Sequence, residues 1–425
     1  MMKVLFIIPG AGDNFYCGNC FRDNLYASAL RKAGHDVIIS PLYLPLKHRS
    51  FQSNSPLFFP ATTYYLAHKY FKNSKIPAVI ERVAGSAFML NYAASKAGTT
   101  SPKGLEGMTL SMINGEDAAF QTEISRMADW IKTIEKPDII HLSSSLLIGI
   151  AKFLREKLEI PMVCSLQDEE VWIDEMDDIY ANLAWQQIAE NTRYVDKLIA
   201  TSNYYRSIAE QKIGKINAIE VVYPGFEEEK YANSPELKEP VIGFFYRMNE
   251  KNGLHILVDA FVRLKQKNAI PGLKLKVGGG FNAQDKKYLK ELQNKLSAYR
   301  NDVEFSEGYS LDDHKAFYQS ISVISVPITF DEGIGLYLCE AFAAGVPAVV
   351  PETGSIPEIV ADAGILYHPN TPELLADALE QALTNQKKYN ELKHRAKQLG
   401  LTRYNAAITA EKLYELYENI VNKKY

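Results

Sequence analysis

The chain has 425 residues, 47% hydrophobic and 23% charged, with a formal net charge of −4 and a pI near 6.1. That length exceeds one ordinary core and predicts two domains of about 200 residues, while the acidic balance argues against a mainly electrostatic nucleic-acid partner. Four cysteines do not make a disulfide scaffold, and no apolar run approaches the roughly 18 residues of a transmembrane helix, so a cytoplasmic protein is expected, with peripheral contact at the inner face of a membrane left open.

The apolar run at Val4–Ile8 is too short for the core of a signal peptide and reads as a first buried strand, Lys3–Ile8. A glycine-rich turn, Pro9-Gly10-Ala11-Gly12, follows it. Asp23–Ala33 has helical spacing and stops at Gly34, and His35–Ser40 is the next strand. Residues 46–125 break the rhythm with the aromatic clusters Phe58-Phe59 and Tyr64-Tyr65 and a helical stretch, Ile76–Ala97. This segment reads as a helical elaboration of the first domain; acceptor binding or immersion in a membrane interface is the alternative. Alternation resumes with strands at Ile139–Leu142, Met162–Leu166, Leu198–Ser202 and Ala218–Val222.

A second cycle begins near residue 240. Val241–Tyr246 is a strand, Leu254–Gln266 a helix, Leu273–Val277 a strand ending in Gly278-Gly279-Gly280, and Ala283–Tyr299 one long helix. Val303–Phe305, Ser322–Val326, Ala348–Val350 and Gly364–Tyr367 supply the remaining strands, and Ala406–Asn422 the last helix. Alternating strands and helices predict an α/β protein with parallel, doubly wound sheets. The boundary falls in Phe226–Pro240, which is acidic and poor in apolar residues. The domains are therefore set at 1–230 and 231–404.

The most informative stretch is Phe330–Val350, FDEGIGLYLCEAFAAGVPAVV. Glu332 and Glu340 stand eight positions apart, Gly333 and Gly335 follow the first, and Gly345 ends the helix that carries the second. Such a helix start offers free N–H groups to a phosphate, and the carboxylates accept from sugar hydroxyls. Arg247 and Lys251 follow the first strand of the second domain, at the end where open α/β sheets bind ligands. Two cations there can neutralise a diphosphate leaving group.

This run resembles the E-x7-E motif of the retaining glycosyltransferases of family 4, and the resemblance is specific from about Phe244 to Tyr367. It implies the GT-B fold: two Rossmann-like doubly wound domains facing a central cleft, with the last helix, within 405–425, crossing back onto the first. It also implies a retaining transfer of a hexosyl unit from a nucleotide-diphosphate sugar, of UDP or GDP type, to a glycan, lipid or small-molecule acceptor. Arg247 and Lys251 resemble the pair that contacts the donor diphosphate, four positions apart here where the family usually has five. Glu332 would bond the hexose and steady its positive charge, the backbone of Gly333, Ile334, Gly335 and Leu336 would meet sugar and phosphate, and Glu340 would take the ribose hydroxyls. Gly279 and the turn Ser306-Glu307-Gly308 would border the nucleobase, and Gly354 matches the glycine loop that usually follows. The donor is a substrate; no cofactor and no metal is expected, since the acidic run Asp174–Asp178 lacks the Asp-x-Asp spacing of metal-dependent transferases.

In the first domain Gly10 and Gly12 match the loop facing donor and acceptor phosphate, and His141 sits at a strand end beside it. The chain departs from the family twice. Ser143 stands where the second histidine of a His-x-His usually does, and Gln167 replaces the histidine of a His-Asp pair. His141, Gln167 and Asp168 are therefore residues that line a site, and none is assigned as a base. A retaining front-face reaction needs none if the leaving phosphate takes the acceptor proton. Three alternatives stand beside transfer: a catalytically silent GT-B protein that binds a nucleotide or glycan, a thiol redox protein built on Cys17-Gly18-Asn19-Cys20, and a nucleotide-sugar epimerase of the same fold, which would release product without an acceptor.

Overall fold

The computed structural model describes residues 1–10, 18–42, 56, 58, 102–115, 118–215, 218–231, 237–307 and 311–423. The chain divides into two compact units, Met1–Val222 with Ala410–Tyr425, and Tyr223–Thr409. The first division point falls at Val222, earlier than the composition change around residues 226–240.

The first unit is built on β1 (Lys3–Ile8), β2 (Asp36–Pro41), β3 (Ile139–Leu142), β4 (Met162–Leu166), β5 (Lys197–Ala200) and β6 (Ile219–Val221). They pair in the order β2-β1-β3-β4-β5-β6, and every pairing is parallel. Strands of a parallel sheet are covered on both faces and read as continuous apolar runs, which is why Val4 to Ile8 are all buried. The chain runs from β1 to β2 on one side and returns to β3 on the other, so the switch point lies between the ends of β1 and β3.

The second unit carries β7 (Val241–Phe245), β8 (Lys274–Gly279), β9 (Val303–Glu307), β10 (Val323–Ile324), β11 (Ala348–Pro351) and β12 (Gly364–Tyr367). Their order is β12-β11-β10-β7-β8-β9, all parallel. Read from β9, this is the 3-2-1-4-5-6 order of a dinucleotide-binding sheet, and its crevice opens beyond the carboxyl ends of β7 and β10.

Two sequence expectations are corrected here. The long helix expected over Ala283–Tyr299 is a 3₁₀ turn at Ala283–Asp285, a helix at Lys286–Lys295 and a second 3₁₀ stretch at Ser297–Asp302. Tyr299 leaves the helical region (φ −119°, ψ 21°) and turns its ring edge-on to Phe261 at 6.2 Å. The first helix spans Gly18–Lys32 and starts five residues before the expected Asp23. Its opening turns bury Arg22, Asp23 and Asn24, polar residues that hide a core-facing surface from any search for apolar periodicity. Most of segment 46–125, including Tyr64-Tyr65 and Ile76–Ala97, lies outside the described residues.

Candidate functional site

In the second unit, the loop after β7 and the loop after β10 are tied together by backbone. Thr329 donates its N–H (3.0 Å) and its hydroxyl (2.9 Å) to the Lys251 carbonyl. Asn252, buried, donates from Nδ2 to the Arg247 carbonyl at 2.7 Å and so closes the turn between the two cations. The next residue, Gly253 (φ 73°), lies so close to the Pro327 carbonyl that no Cβ fits there. This tight loop holds Arg247 at the carboxyl end of β7. Its guanidinium approaches Asp285 at 3.8 Å, a long ion pair, and its buried Nε has no hydrogen-bond partner among the described residues. That leaves guanidinium donors in hand for an anion.

Glu332 is buried, and the Tyr246 hydroxyl at the end of β7 donates to its Oε2 at 3.1 Å. Its backbone is gripped as well: the Ser355 N–H donates to the Glu332 carbonyl at 2.8 Å, and Gly354 (φ 54°) packs directly on the Glu332 peptide. Gly333, Ile334, Gly335 and Leu336 are all buried and lead into the helix Leu336–Ala343, whose N-cap is Gly335 in the left-handed region (φ 60°). The first N–H groups of a helix have no partner within it, so this turn presents donors beside Glu332. Tyr337, also buried, carries a hydroxyl with no partner among the described residues, and burial with Glu332 nearby pushes its pKa well up.

Glu340, on the same helix, accepts from the Tyr231 hydroxyl at 2.6 Å and from His314 Nδ1 at 3.0 Å. Gly279 (φ 130°) ends β8. Glu307 ends β9, while Gly308 lies outside the described residues. The residues Arg247, Lys251, Gly279, Gly333–Leu336, Glu332 and Glu340 thus belong to the carboxyl ends of β7 and β8, the loops after β7 and β10, and the helix Leu336–Ala343. Sequence reasoning missed Tyr231, Tyr246, His314 and Tyr337. Tyr246 adjoins Arg247 and Tyr337 lies inside the E-x7-E run, so both were within reach; Tyr231 and His314 carried no local signal.

The carboxyl ends of β3 and β4 in the first unit hold a buried polar network. Arg22 donates to Asp23 (2.7 and 3.0 Å), Gln167 Oε1 (3.2 Å), Asn19 Oδ1 (3.3 Å) and the Ser143 carbonyl, and the Ser143 hydroxyl donates to Asp23. Gly10 (φ 87°) follows β1, while Gly12 and Cys17 lie outside the described residues. Cys20 is buried. His141 is fully buried, with Nδ1 at 2.5 Å from the Tyr417 hydroxyl and Nε2 at 2.7 Å from Ser165 Oγ. Burial and the nearby Arg22 lower its pKa well below the usual histidine range. Both ring nitrogens are engaged within the first unit, which is the arrangement of a buried, hydrogen-bonded core histidine; the sequence left that arrangement open beside a place lining the Gly10 loop. Asp174 in the acidic run accepts from Trp185 Nε1 (2.8 Å) and pairs with Lys212 (2.6 Å).

Beside that network, the Tyr205 oxygen lies 2.7 Å from Glu169 Oε2, 2.6 Å from Glu170 Oε2 and 2.7 Å from the Glu169 N–H. A phenol has one proton to donate, so one carboxyl must supply the other. Glu169 already accepts from Ser144 Oγ, Ser145 N and Gln167 N, which assigns the proton to Glu170. Burial first, then Asp168, push the Glu170 pKa up to about 7. A carboxyl raised in the folded state binds more protons than the unfolded chain between its usual range and about pH 7, so stability falls as pH rises through that window. Glu170→Gln is expected to raise the melting temperature over wild type at pH 8 by the equivalent of about 3 kcal/mol, and hardly at pH 4. An equal gain at both pH values in melting curves rules this out.

Two family models match the chain: "Glycosyltransferase Family 4" over residues 114–230 and "Glycosyl transferases group 1" over residues 225–399. A D-inositol 3-phosphate glycosyltransferase of Corynebacterium urealyticum is 30% identical over 256 residues, 55% of this chain and 58% of that relative's length. A GDP-mannose-dependent alpha-(1-6)-phosphatidylinositol monomannoside mannosyltransferase of Mycolicibacterium smegmatis is 27% identical over 39% of this chain and 47% of its own. The crystal structure of Anabaena HepE with UDP and glucose superposes with a TM-score of 0.68 at 16% identity, over 98% of this chain and 99% of that one. The fold is accordingly of the GT-B type, with two Rossmann-like domains, each on its own six-stranded parallel sheet. No helix among the described residues is long and apolar enough to cross a membrane.

Proposed function

We propose, on the premise that the chain carries glycosyltransferase domains of the family 4 and group 1 types, that it transfers a hexosyl unit from a nucleotide-diphosphate sugar to a hydroxyl acceptor with retention. The observation that carries the reading is the convergence at one sheet end of Arg247 with an unsatisfied Nε, the buried Glu332 and Glu340, and a glycine-capped helix start. Arg247 and Lys251 stabilise the diphosphate as the bond from sugar C1 to phosphate oxygen breaks. Glu332, steadied by Tyr246, orients the hexose and faces its developing positive charge, and Glu340 holds the ribose. The acceptor oxygen bonds C1 on the same face, and its proton passes to the departing phosphate oxygen. The two cations serve in place of a metal ion. The named relatives act with inositol phosphate or with GDP-mannose and phosphatidylinositol mannoside; for this chain the acceptor is proposed only as a glycan, lipid or small-molecule alcohol, reached from the cytoplasmic side.

A thermal-shift screen of UDP, GDP, ADP and their common sugars tests the donor class. A ligand at 100 times its dissociation constant adds about 2.7 kcal/mol, so one nucleotide family is expected to raise the melting temperature by several degrees. Failure of all of them removes the donor site. The second reading, a silent nucleotide- or glycan-binding protein, is favoured by the engagement of Ser143 and Gln167 with Arg22 and Asp23. Turnover of any nucleotide sugar eliminates it.

A further inference from the structure

The surroundings of Glu340 go beyond a carboxylate waiting for a sugar. Glu340 is 2% exposed, and a carboxylate so far from water must be supplied with donors. Tyr231, which follows a short 3₁₀ turn, donates its hydroxyl to Oε1 at 2.6 Å. His314, on the helix Leu311–Tyr318, stands with Nδ1 3.0 Å from Oε2 and 3.2 Å from Oε1. An ionised carboxylate only accepts, so His314 carries a proton on Nδ1.

The histidine ring is itself held in place. Phe245, the last residue of β7, meets it edge-on with ring centroids 4.5 Å apart. Phe245 can lie there because Gly278 of β8 has no side chain: a Cβ on Gly278 would come within 2.7 Å of the Phe245 ring and 3.0 Å of the Phe317 ring. A run of contacts therefore leads from Gly278 through Phe245 and His314 to Glu340. It spans two strands and two helices that are far apart in sequence.

The lone pairs can be counted. A carboxylate offers about four acceptor directions. Oε1 receives Tyr231 and the longer His314 contact, and Oε2 receives only His314 among the described residues. One direction on Oε2 is left. We infer that His314 and Tyr231 are positioning residues, which lock the Glu340 carboxylate so that its Oε2 accepts a single hydroxyl from the ribose of a nucleoside diphosphate. The inference rests on the proposed reading of Glu340 as the ribose ligand. Without His314 the carboxylate would keep one donor, rotate about its last torsion and lose its aim at the ribose.

The test compares dissociation constants for UDP and GDP with those of their 2′-deoxy and 3′-deoxy forms, using the full chain and the base that binds more tightly. A hydrogen bond to a charged acceptor is worth enough for the wild type to favour the ribonucleotide over at least one deoxy form by about 10-fold or more. Glu340→Ala is expected to erase that ratio. His314→Ala is expected to reduce it below about 3-fold, and His314→Asn, whose amide nitrogen can stand in for Nδ1, to restore it. Tyr231→Phe is expected to give an intermediate ratio. The ratio reads aim at the sugar, so a general loosening that weakens all nucleotides alike leaves it unchanged. A full ratio in His314→Ala, with the ratio lost in Glu340→Ala, overturns the positioning role alone. A full ratio in Glu340→Ala overturns the ribose reading as well.

Discussion

Arg247→Ala is expected to lower kcat for transfer by about 10²–10³ while leaving the fold intact. Removing one preorganised charge stabiliser from a site of developing negative charge typically has that effect. The structural cost is small because the side chain is 28% exposed and its 3.8 Å approach to Asp285 is too long for a hydrogen bond. The loop around it is held by groups other than the guanidinium: the Asn252 amide on the Arg247 carbonyl, and Thr329 on the Lys251 carbonyl. Arg247→Lys restores a point charge without the planar fork, so it should recover part of the loss. Glu332→Ala, which leaves Tyr246 without its carboxylate, should be similarly inactive. The checks are steady-state kinetics with the donor found in the screen, and a melting temperature within about 2 °C of wild type for Arg247→Ala. Full activity in both alanine variants would sink the site assignment.

The order of elements was legible because every strand here belongs to a parallel sheet. Such strands announce themselves as apolar runs closed by glycine or proline, as in Val4–Ile8 before Pro9-Gly10 and Ala348–Val350 before Pro351. The residues proposed for the donor side share a related property. Glu332, Gly335 and Glu340 occupy one loop and one helix, so a single stretch of sequence fixes their spacing. What escaped was whatever depends on contacts between distant segments. Tyr231 and Glu340 are 109 residues apart, and nothing local in EEEKY marks the tyrosine as a buried donor. Arg22 and Asp23 look like an exposed pair on a helix until Ser143 and Gln167, both more than 100 residues away, enclose them. Tyr299 fits a helical pattern, yet it lies beyond the helix end at Lys295 and sets its ring edge-on to Phe261, 38 residues away in sequence.

Gly354→Ala is expected to damage stability and transfer together, although Gly354 is assigned no contact with any ligand. Two penalties meet at this residue. Its φ of 54° puts an alanine in the left-handed region, which costs about 1–2 kcal/mol. A Cβ there would stand 2.5 Å from the Glu332 nitrogen and 2.6 Å from its oxygen. Both are backbone atoms, so the clash is relieved only by moving the chain, at a further cost of about 1–3 kcal/mol. The sum, about 3 kcal/mol, corresponds to a fall in melting temperature of roughly 6–12 °C for a unit of this size. Gly34→Ala separates the two terms: it has φ 90° with nothing within 4 Å of its Cβ, so it carries the backbone penalty without the clash. The peptide that must shift in Gly354→Ala is that of Glu332, whose carboxylate is proposed to face the reacting sugar. A displacement near 1 Å there can cost about 100-fold in rate. Activity measured well below the variant's melting point should therefore be lost in Gly354→Ala and kept in Gly34→Ala. If Gly354→Ala folds, melts lower and still turns over at the wild-type rate, then Glu332 does not need its present position, and the role given to its carboxylate must pass to another group.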